Sequence, residues 1–361
     1  MQTKDLWTIL SHAGLTQGEK GEEVLESPWY IKVLLALSGW IGALFLLVFM
    51  ALILGLIFAG FFKERYLENF FFLASIGAGF LFFSYVMFKS KTSEFFEHFF
   101  FVISLVGQVF VIAAFFFFFE EHTNEKLFLF MALFQAFLVW LMPNYIHRML
   151  SSFFMALSFS YFFFDIHEPY LFLALLTAVV TWLWMNEFEF KSIKKVQAIG
   201  YGLLFALIGL QYPYLYGYEV FDLYYHRGGM ELSRVIPTVV TLISSLSLGY
   251  VVWKILQREE LLGNVKIVTL SLVAVVLLAF ISFYAVGLML GIIFLLIGFA
   301  NSHRLFMGLG VVSSLFFISN YYYFLGETLM DKAIVLGLVG GVLLLMRFAL
   351  KWFLFKEVKD A

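Results

Sequence analysis

The stretch that decides the fold is Ile267–Ala300, "IVTLSLVAVVLLAFISFYAVGLMLGIIFLLIGFA". Its 34 residues contain no Asp, Glu, Lys or Arg. A membrane span needs about 20 apolar residues to cross roughly 30 Å of hydrocarbon. As one helix this stretch would extend about 51 Å at 1.5 Å per residue, far beyond the membrane. It is therefore read as two short spans, 266–283 and 286–300, broken near "SFYAVG" (Ser282–Gly287). The alternative, a single strongly tilted helix, gives one span fewer and moves the C-terminus to the other side.

The rest of the chain has the same character. It is 63% hydrophobic and 13% charged, with a mean hydropathy of +0.94. A soluble domain is about half apolar and about a quarter charged. So few charges could not cover this much apolar surface in water, so the solvent is lipid. The 49 phenylalanines fill lipid-facing and interhelical surface. The other apolar runs are 33–61, 70–88, 96–119, 127–142, 146–164, 170–186, 195–216, 235–256, 304–325 and 332–354. They are continuous and do not alternate, so they read as helices and not as barrel strands. The expected fold is an all-α polytopic bundle of about 12 spans.

Charge sets the expected orientation. With twelve spans and a cytoplasmic N-terminus, the inner segments hold 17 of the 23 Lys and Arg. That ratio satisfies the positive-inside rule. The basic tail "RFALKWFLFKEVKD" (Arg347–Asp360) also favours the inside. Both termini are therefore expected in the cytoplasm. The first residues are mostly polar and lead into an apolar run too long for a signal peptide, so no cleaved leader is expected. Within them, Leu6, Trp7, Ile9 and Leu10 oppose Lys4 and Asp5, which suits an interfacial helix. The expected organisation is a cytoplasmic amphipathic segment over 1–28, a transmembrane helical domain over 29–355 and a cytoplasmic tail over 356–361.

Few residues invite chemistry. There is no cysteine, hence no disulfide and no thiolate site. No P-loop, GxSxG or dinucleotide-binding glycine pattern lies between a strand and a helix. No Asp, Glu, Lys or Arg falls at the expected middle of a span, which counts against a proton relay. Gln108, Gln135 and Asn320 do lie inside apolar runs. An unpaired amide in hydrocarbon costs several kcal/mol, so each is read as interhelical glue or as part of a solute path. His122, His167 and His226 lie in three loops on the expected outer side, each near acids. Histidine and carboxylate together suit a divalent ion, but no tight ligand spacing links the three. No metal centre and no cofactor are assigned.

Small residues at intervals of four suit close helix approach: Ser38 and Gly42, Ser75 and Gly79, Gly287 and Gly291 with Gly298 beyond, and Ala333, Gly337 and Gly341. Pro213 is expected to kink its helix beside Tyr212, Tyr214, Tyr216 and Tyr218. In "SNYYYFLGETLMDKA" (Ser319–Ala333) the tyrosines 321, 322 and 323 occupy the last outward turn of a span, and Gly326–Met330 makes the turn to the next. Three successive residues cover about 200° of a helix, so at least one points into the bundle. Asn320, Tyr321, Tyr322, Tyr323 and Lys332 are the remaining candidates for an interhelical or solute-path role.

Two stretches carry a resemblance: "SPWYIKVLLALSGWIGALFLL" (Ser27–Leu47), and "IGFANSHRLFMGLG" through "NYYYFLGETLMDKAIVLGLVGGVLLLMR" (Ile297–Arg347). They resemble an uncharacterised bacterial multi-pass membrane family filed as a domain of unknown function. Its members are often encoded beside small membrane-anchored proteins with a GDYxxLxY motif. Ala333 stands where that family more often has serine. The resemblance implies a bacterial inner-membrane helical protein and no activity. Three functions are carried forward. One is a non-catalytic component of a membrane complex with a membrane-anchored partner. The others are a transporter or facilitator for a small solute or lipid, and a membrane enzyme using the outer His/acid loops. Lipid is the expected environment, and no nucleic acid is expected.

Overall fold

The computed structural model describes residues 28–58, 66–90, 93–119, 124–166, 168–216, 235–282, 287–324 and 329–354. Among them the chain forms twelve α-helices and no strand. In chain order these are α1 (Trp29–Phe58), α2 (Tyr66–Lys89), α3 (Glu94–Phe119), α4 (Asn124–Leu141), α5 (Tyr145–Asp165), α6 (Pro169–Met185), α7 (Ile193–Tyr216), α8 (Val235–Arg258), α9 (Val265–Ser282), α10 (Leu288–Ala300), α11 (Arg304–Phe324) and α12 (Leu329–Leu354). Each coincides with one expected apolar run to within a few residues. Six are long and apolar enough to cross a membrane: α1, α2, α3, α7, α8 and α9. The apolar cores of α4, α6, α10 and α11 are shorter.

The long apolar run of 267–300 is broken where expected. α9 ends at Ser282 and α10 begins after Gly287, whose φ is +94°. Only glycine adopts that backbone conformation readily. Any side chain on Gly287 would also overlap the ring of Phe317 on α11. Backbone and packing therefore both require glycine here.

The first eleven helices alternate in direction. α1 and α3 run parallel, with Lys32 near Glu94 (3.8 Å) and the Trp40 indole N–H donating to His98 Nδ1 (3.4 Å). α2 lies antiparallel against α3, with Phe83 on Phe100 and Phe70 on Phe115. Further along, α6, α8 and α10 all finish at the end where α7, α9 and α11 start, because Asn301 and Arg258 both reach the last turn of α6. α9 therefore starts, and α10 finishes, at the same end of the bundle. That end carries Lys32, Lys89, Arg148, Lys191, Lys194, Lys195, Lys254, Arg258, Lys266 and Arg304 against Glu94, Glu97, Glu187, Glu189, Glu259 and Glu260, ten cations to six acids. At the opposite end the described residues of these helices carry Lys126 against Glu68, Glu125, Asp165 and Glu168. The first is called the basic end below.

Glycines set the closest helix crossings, though not always those expected. Gly77 and Gly107 face each other, so that a Cβ on Gly77 would lie 2.7 Å from the Gly107 carbonyl oxygen. A Cβ on Gly39 would lie 2.7 Å from the Phe95 carbonyl oxygen. The neighbours expected in these roles behave otherwise: Gly79 faces open space and Gly42 makes only ordinary contacts. Gly291 and Gly298 do pack tightly, against Ser314 and Met307 of α11. A Cβ on Gly337 or Gly341 would meet no described atom within 4 Å. α7 runs through Pro213 without ending there. The largest apolar core lies among α5 to α8, α10 and α11, around the fully buried Trp184, Phe294 and Phe306. A smaller cluster of Leu81, Val111, Leu138 and Met142 joins α2, α3 and α4.

The tightest crossing joins the half made of α1 to α5 to the half made of α6 to α12. A Cβ on Gly202 of α7 would overlap the Met149 carbonyl oxygen of α5 and lie 2.7 Å from the Ser152 Cβ. Backbone cannot swing aside as a side chain can. Gly202→Val should therefore lower thermal stability in detergent by an overpacking cost of about 1–3 kcal/mol. Gly79→Val, on an open face, should leave it near wild type apart from the small change in helix propensity.

Candidate functional site

Polar groups gather in two clusters, one buried and one part-buried, each built around the C-terminal end of a helix. The first surrounds the α4–α5 turn. Pro143 follows the end of α4, and Asn144 begins α5 by accepting from the His147 backbone N–H (3.0 Å). A side-chain oxygen at this position satisfies one of the free N–H groups of a helix start. Arg148 is buried in the first turn of α5, an unfavourable place for a cation beside the helix dipole. It reaches back to α4, donating through Nε to the Val139 carbonyl (2.9 Å) and through Nη2 to the Met142 carbonyl (2.6 Å). The carbonyls that α4 leaves open are thus satisfied by the residue that begins its partner.

His147, fully buried, points the other way, into α3. Gln135 Nε2 donates to Gln108 Oε1 (2.9 Å), and Gln108 Nε2 donates to His147 Nε2 (3.0 Å). Nε2 must then accept, so Nδ1 carries the proton and donates to Ser151 Oγ (3.2 Å). The result is a hydrogen-bonded row through α4, α3 and α5. Phe88 and Phe101 close over the imidazole edge-on. Phe101 lies seven residues into α3 and Gln108 fourteen, so the row lies between about 10 and 21 Å in from the start of that helix. Gln135 Oε1 and the hydroxyls of Ser84 and Ser104 are buried without a partner among the described residues.

The second cluster lies at the basic end of the other half. Asn301 Nδ2 donates to the Trp184 carbonyl (2.6 Å), and Asn301 Oδ1 accepts from Arg258 Nη1 (2.8 Å). Arg258 Nη2 donates to the Met185 carbonyl. The last carbonyls of α6 are therefore satisfied by α8 and by the α10–α11 turn. Asn186 Nδ2 donates to the Tyr250 hydroxyl (2.7 Å), and Lys254 Nζ pairs with Glu189 (3.2 Å). Glu187 is fully buried, and its Oε1 accepts from His303 Nε2 (2.9 Å). Glu187 Oε2 and Trp184 Nε1 have no partner among the described residues. Trp184 meets the His303 ring edge-on and the Phe306 ring at a tilt.

The α10 terminus that carries Asn301 and His303 is itself specialised. His303 N–H donates to the Gly298 carbonyl (2.8 Å) and Ser302 N–H to the Phe299 carbonyl (3.2 Å), the double bond of a Schellman cap. Ser302 takes the left-handed position with φ +56°, where glycine is usual.

Of the residues singled out in the sequence, Gln108 and Gln135 are brought together. Asn320, Tyr321, Tyr322 and Tyr323 fall in the last turns of α11 and Lys332 in the first turn of α12, while their side chains lie outside the described residues. His122, His167 and His226 also lie outside them. Leu329 and Met330, expected in the turn, belong to α12. Among the described residues no group of three His or acidic side chains could hold a metal. Sequence reasoning missed His147, Arg148, Glu187, Asn301 and His303. For all but Glu187 the signal was the crowding of polar residues into "PNYIHR" and "NSHR" at span ends, which also suits a solvated turn.

Two outcomes follow from this geometry. Gln108→Leu leaves Gln135 Nε2 and His147 Nε2 buried without partners, so it should cost at least about 2 kcal/mol of stability. The double variant with Gln135→Leu should cost less than the sum of the two single changes. Ser302→Gly relieves the left-handed strain and should raise stability by about 1 kcal/mol in the same thermal-unfolding assay.

No curated protein and no solved structure matches the chain. A family model described as a domain of unknown function, DUF4401, matches residues 28–352, and the chain belongs to that family.

Proposed function

We propose that the chain is a multi-pass protein of the bacterial inner membrane, with twelve spans and both termini in the cytoplasm. It acts as a non-catalytic component of a membrane complex, beside a membrane-anchored partner. The observation that carries the reading is the pairing of Gln108 with Gln135 and His147. The amides a solute path would need bind each other and brace three helices. The charge difference between the ends of the bundle supports the orientation. The partner side is supported by α12, whose Leu338, Leu345 and Phe348 are exposed and whose Gly337 and Gly341 lie open. Small residues on an apolar face allow another helix to approach closely.

A facilitator is the second reading, favoured by the break at Gly287. α10 is a short helix whose first residues are buried and whose start has no side-chain cap, the kind of discontinuous element on which transporters build sites.

A photo-crosslinking residue at position 338 should capture a discrete membrane protein, absent when the probe sits at Leu246 of α8. A chain that purifies alone and crosslinks only lipid at both positions counts against the complex. A reporter fused after Ala361 should be active in the cytoplasm, and a periplasmic signal would refute the twelve-span topology.

A further inference from the structure

A groove of about 410 Å³ opens on the flank of the bundle between α2 and α4. Ala74 and Ala78 of α2 hollow one wall, Phe134 and Leu141 of α4 form the other, and Val111 of α3 is the floor. Its size falls within the range of roughly 300–1,000 Å³ that holds small ligands. Tyr85 ends the groove, and it is the one lining residue with a polar side-chain atom. Lys89 Nζ lies 4.4 Å from the centre of the Tyr85 ring, so a cation stands at this mouth. The mouth is at the basic end, since α2 finishes at Lys89.

The length of the groove is informative. From Ala74 to Tyr85 the wall advances eleven residues, about 16 Å along the helix. A hydrocarbon core is roughly 30 Å thick, so the groove runs about the depth of one leaflet. It starts at a cation and ends near the middle of the bundle, with apolar walls between. We infer that this groove binds one acyl chain of an anionic phospholipid from the basic-end leaflet. Lys89, held over the Tyr85 ring, meets the phosphate of its headgroup. Apolar walls hold the chain, and the lysine supplies the preference for negative charge.

The inference rests on the membrane placement proposed above, and the two can fail separately. The full-length chain is purified in detergent with palmitoyl-oleoyl phosphatidylglycerol or phosphatidylcholine, and retained lipid is counted by native mass spectrometry. Wild type should retain phosphatidylglycerol about fivefold better, the equivalent of about 1 kcal/mol for one basic residue near the surface. Lys89→Gln should bring the two lipids to parity. Ala78→Phe, at an exposed position, should fill the groove and abolish retention of both. Gly79→Leu, one residue along on an open face, should behave as wild type. Unchanged retention in Ala78→Phe, or an unchanged preference in Lys89→Gln, overturns the assignment. Retention of every variant in carbonate-washed membranes tests the membrane placement itself.

Discussion

A helix that stops against protein leaves its last carbonyls without intrahelical partners, and other groups must supply the donors. This constraint organises the basic end of the bundle. α4 and α6 both end against protein, and in each case an arginine from another helix supplies the missing donors. Arg148 serves α4, and Arg258 together with Asn301 serves α6. A guanidinium suits the task because its fork of donors can reach two acceptors at once and keeps its charge when buried. For Arg148, which is buried, the partial negative charge of the α4 C-terminus offsets the burial of the cation, whereas Arg258 reaches α6 from an exposed position.

The tie has consequences for the fold. Arg258 and Asn301 converge on one helix end from α8 and α10, so three helix termini are fixed at a common level. This sets α9 and α10 in opposite directions, and Gly287 makes the reversal possible. In the other half, Arg148 locks the α4–α5 hairpin, and the hairpin presents His147 to Gln108. The Gln–Gln–His row is thus a product of the cap. Gly202 then lets α7 approach α5 backbone to backbone and joins the halves. Buried polar groups and close glycine crossings supply the specific contacts between these apolar helices.

Much of the candidate site was hidden in the sequence for a physical reason. Asn301 and His303 sit in "NSHR", which has the composition of an exposed turn. Arg148 and Arg258 contributed to the charge count as basic residues near span ends, and that sign argument needs no knowledge of burial. Glu187 is similar: one residue past an apolar run, it reads as a surface acid, yet it is fully buried against His303. Helix spacing likewise suggested Gly79 and Gly42 as approach points, whereas Gly77 and Gly39 serve. Spacing identifies a stripe of small residues, but it does not say which side of the helix meets a neighbour.

The helices themselves were readable from hydropathy alone, because a run of apolar residues in lipid has only one way to satisfy its backbone. The division of 267–300 followed from length, since a helix too long for the membrane must break or tilt. Family membership was visible in two terminal stretches. Which polar residues meet was decided only in three dimensions. Gln108 and Gln135 are 27 residues apart, and Glu187 and His303 are 116 apart. Their pairing depends on helix rotation and relative depth, and those are set by glycine crossings and by arginine caps between distant segments. Sequence therefore determined that the chain forms apolar helices, while tertiary packing decided how their buried polar atoms are satisfied.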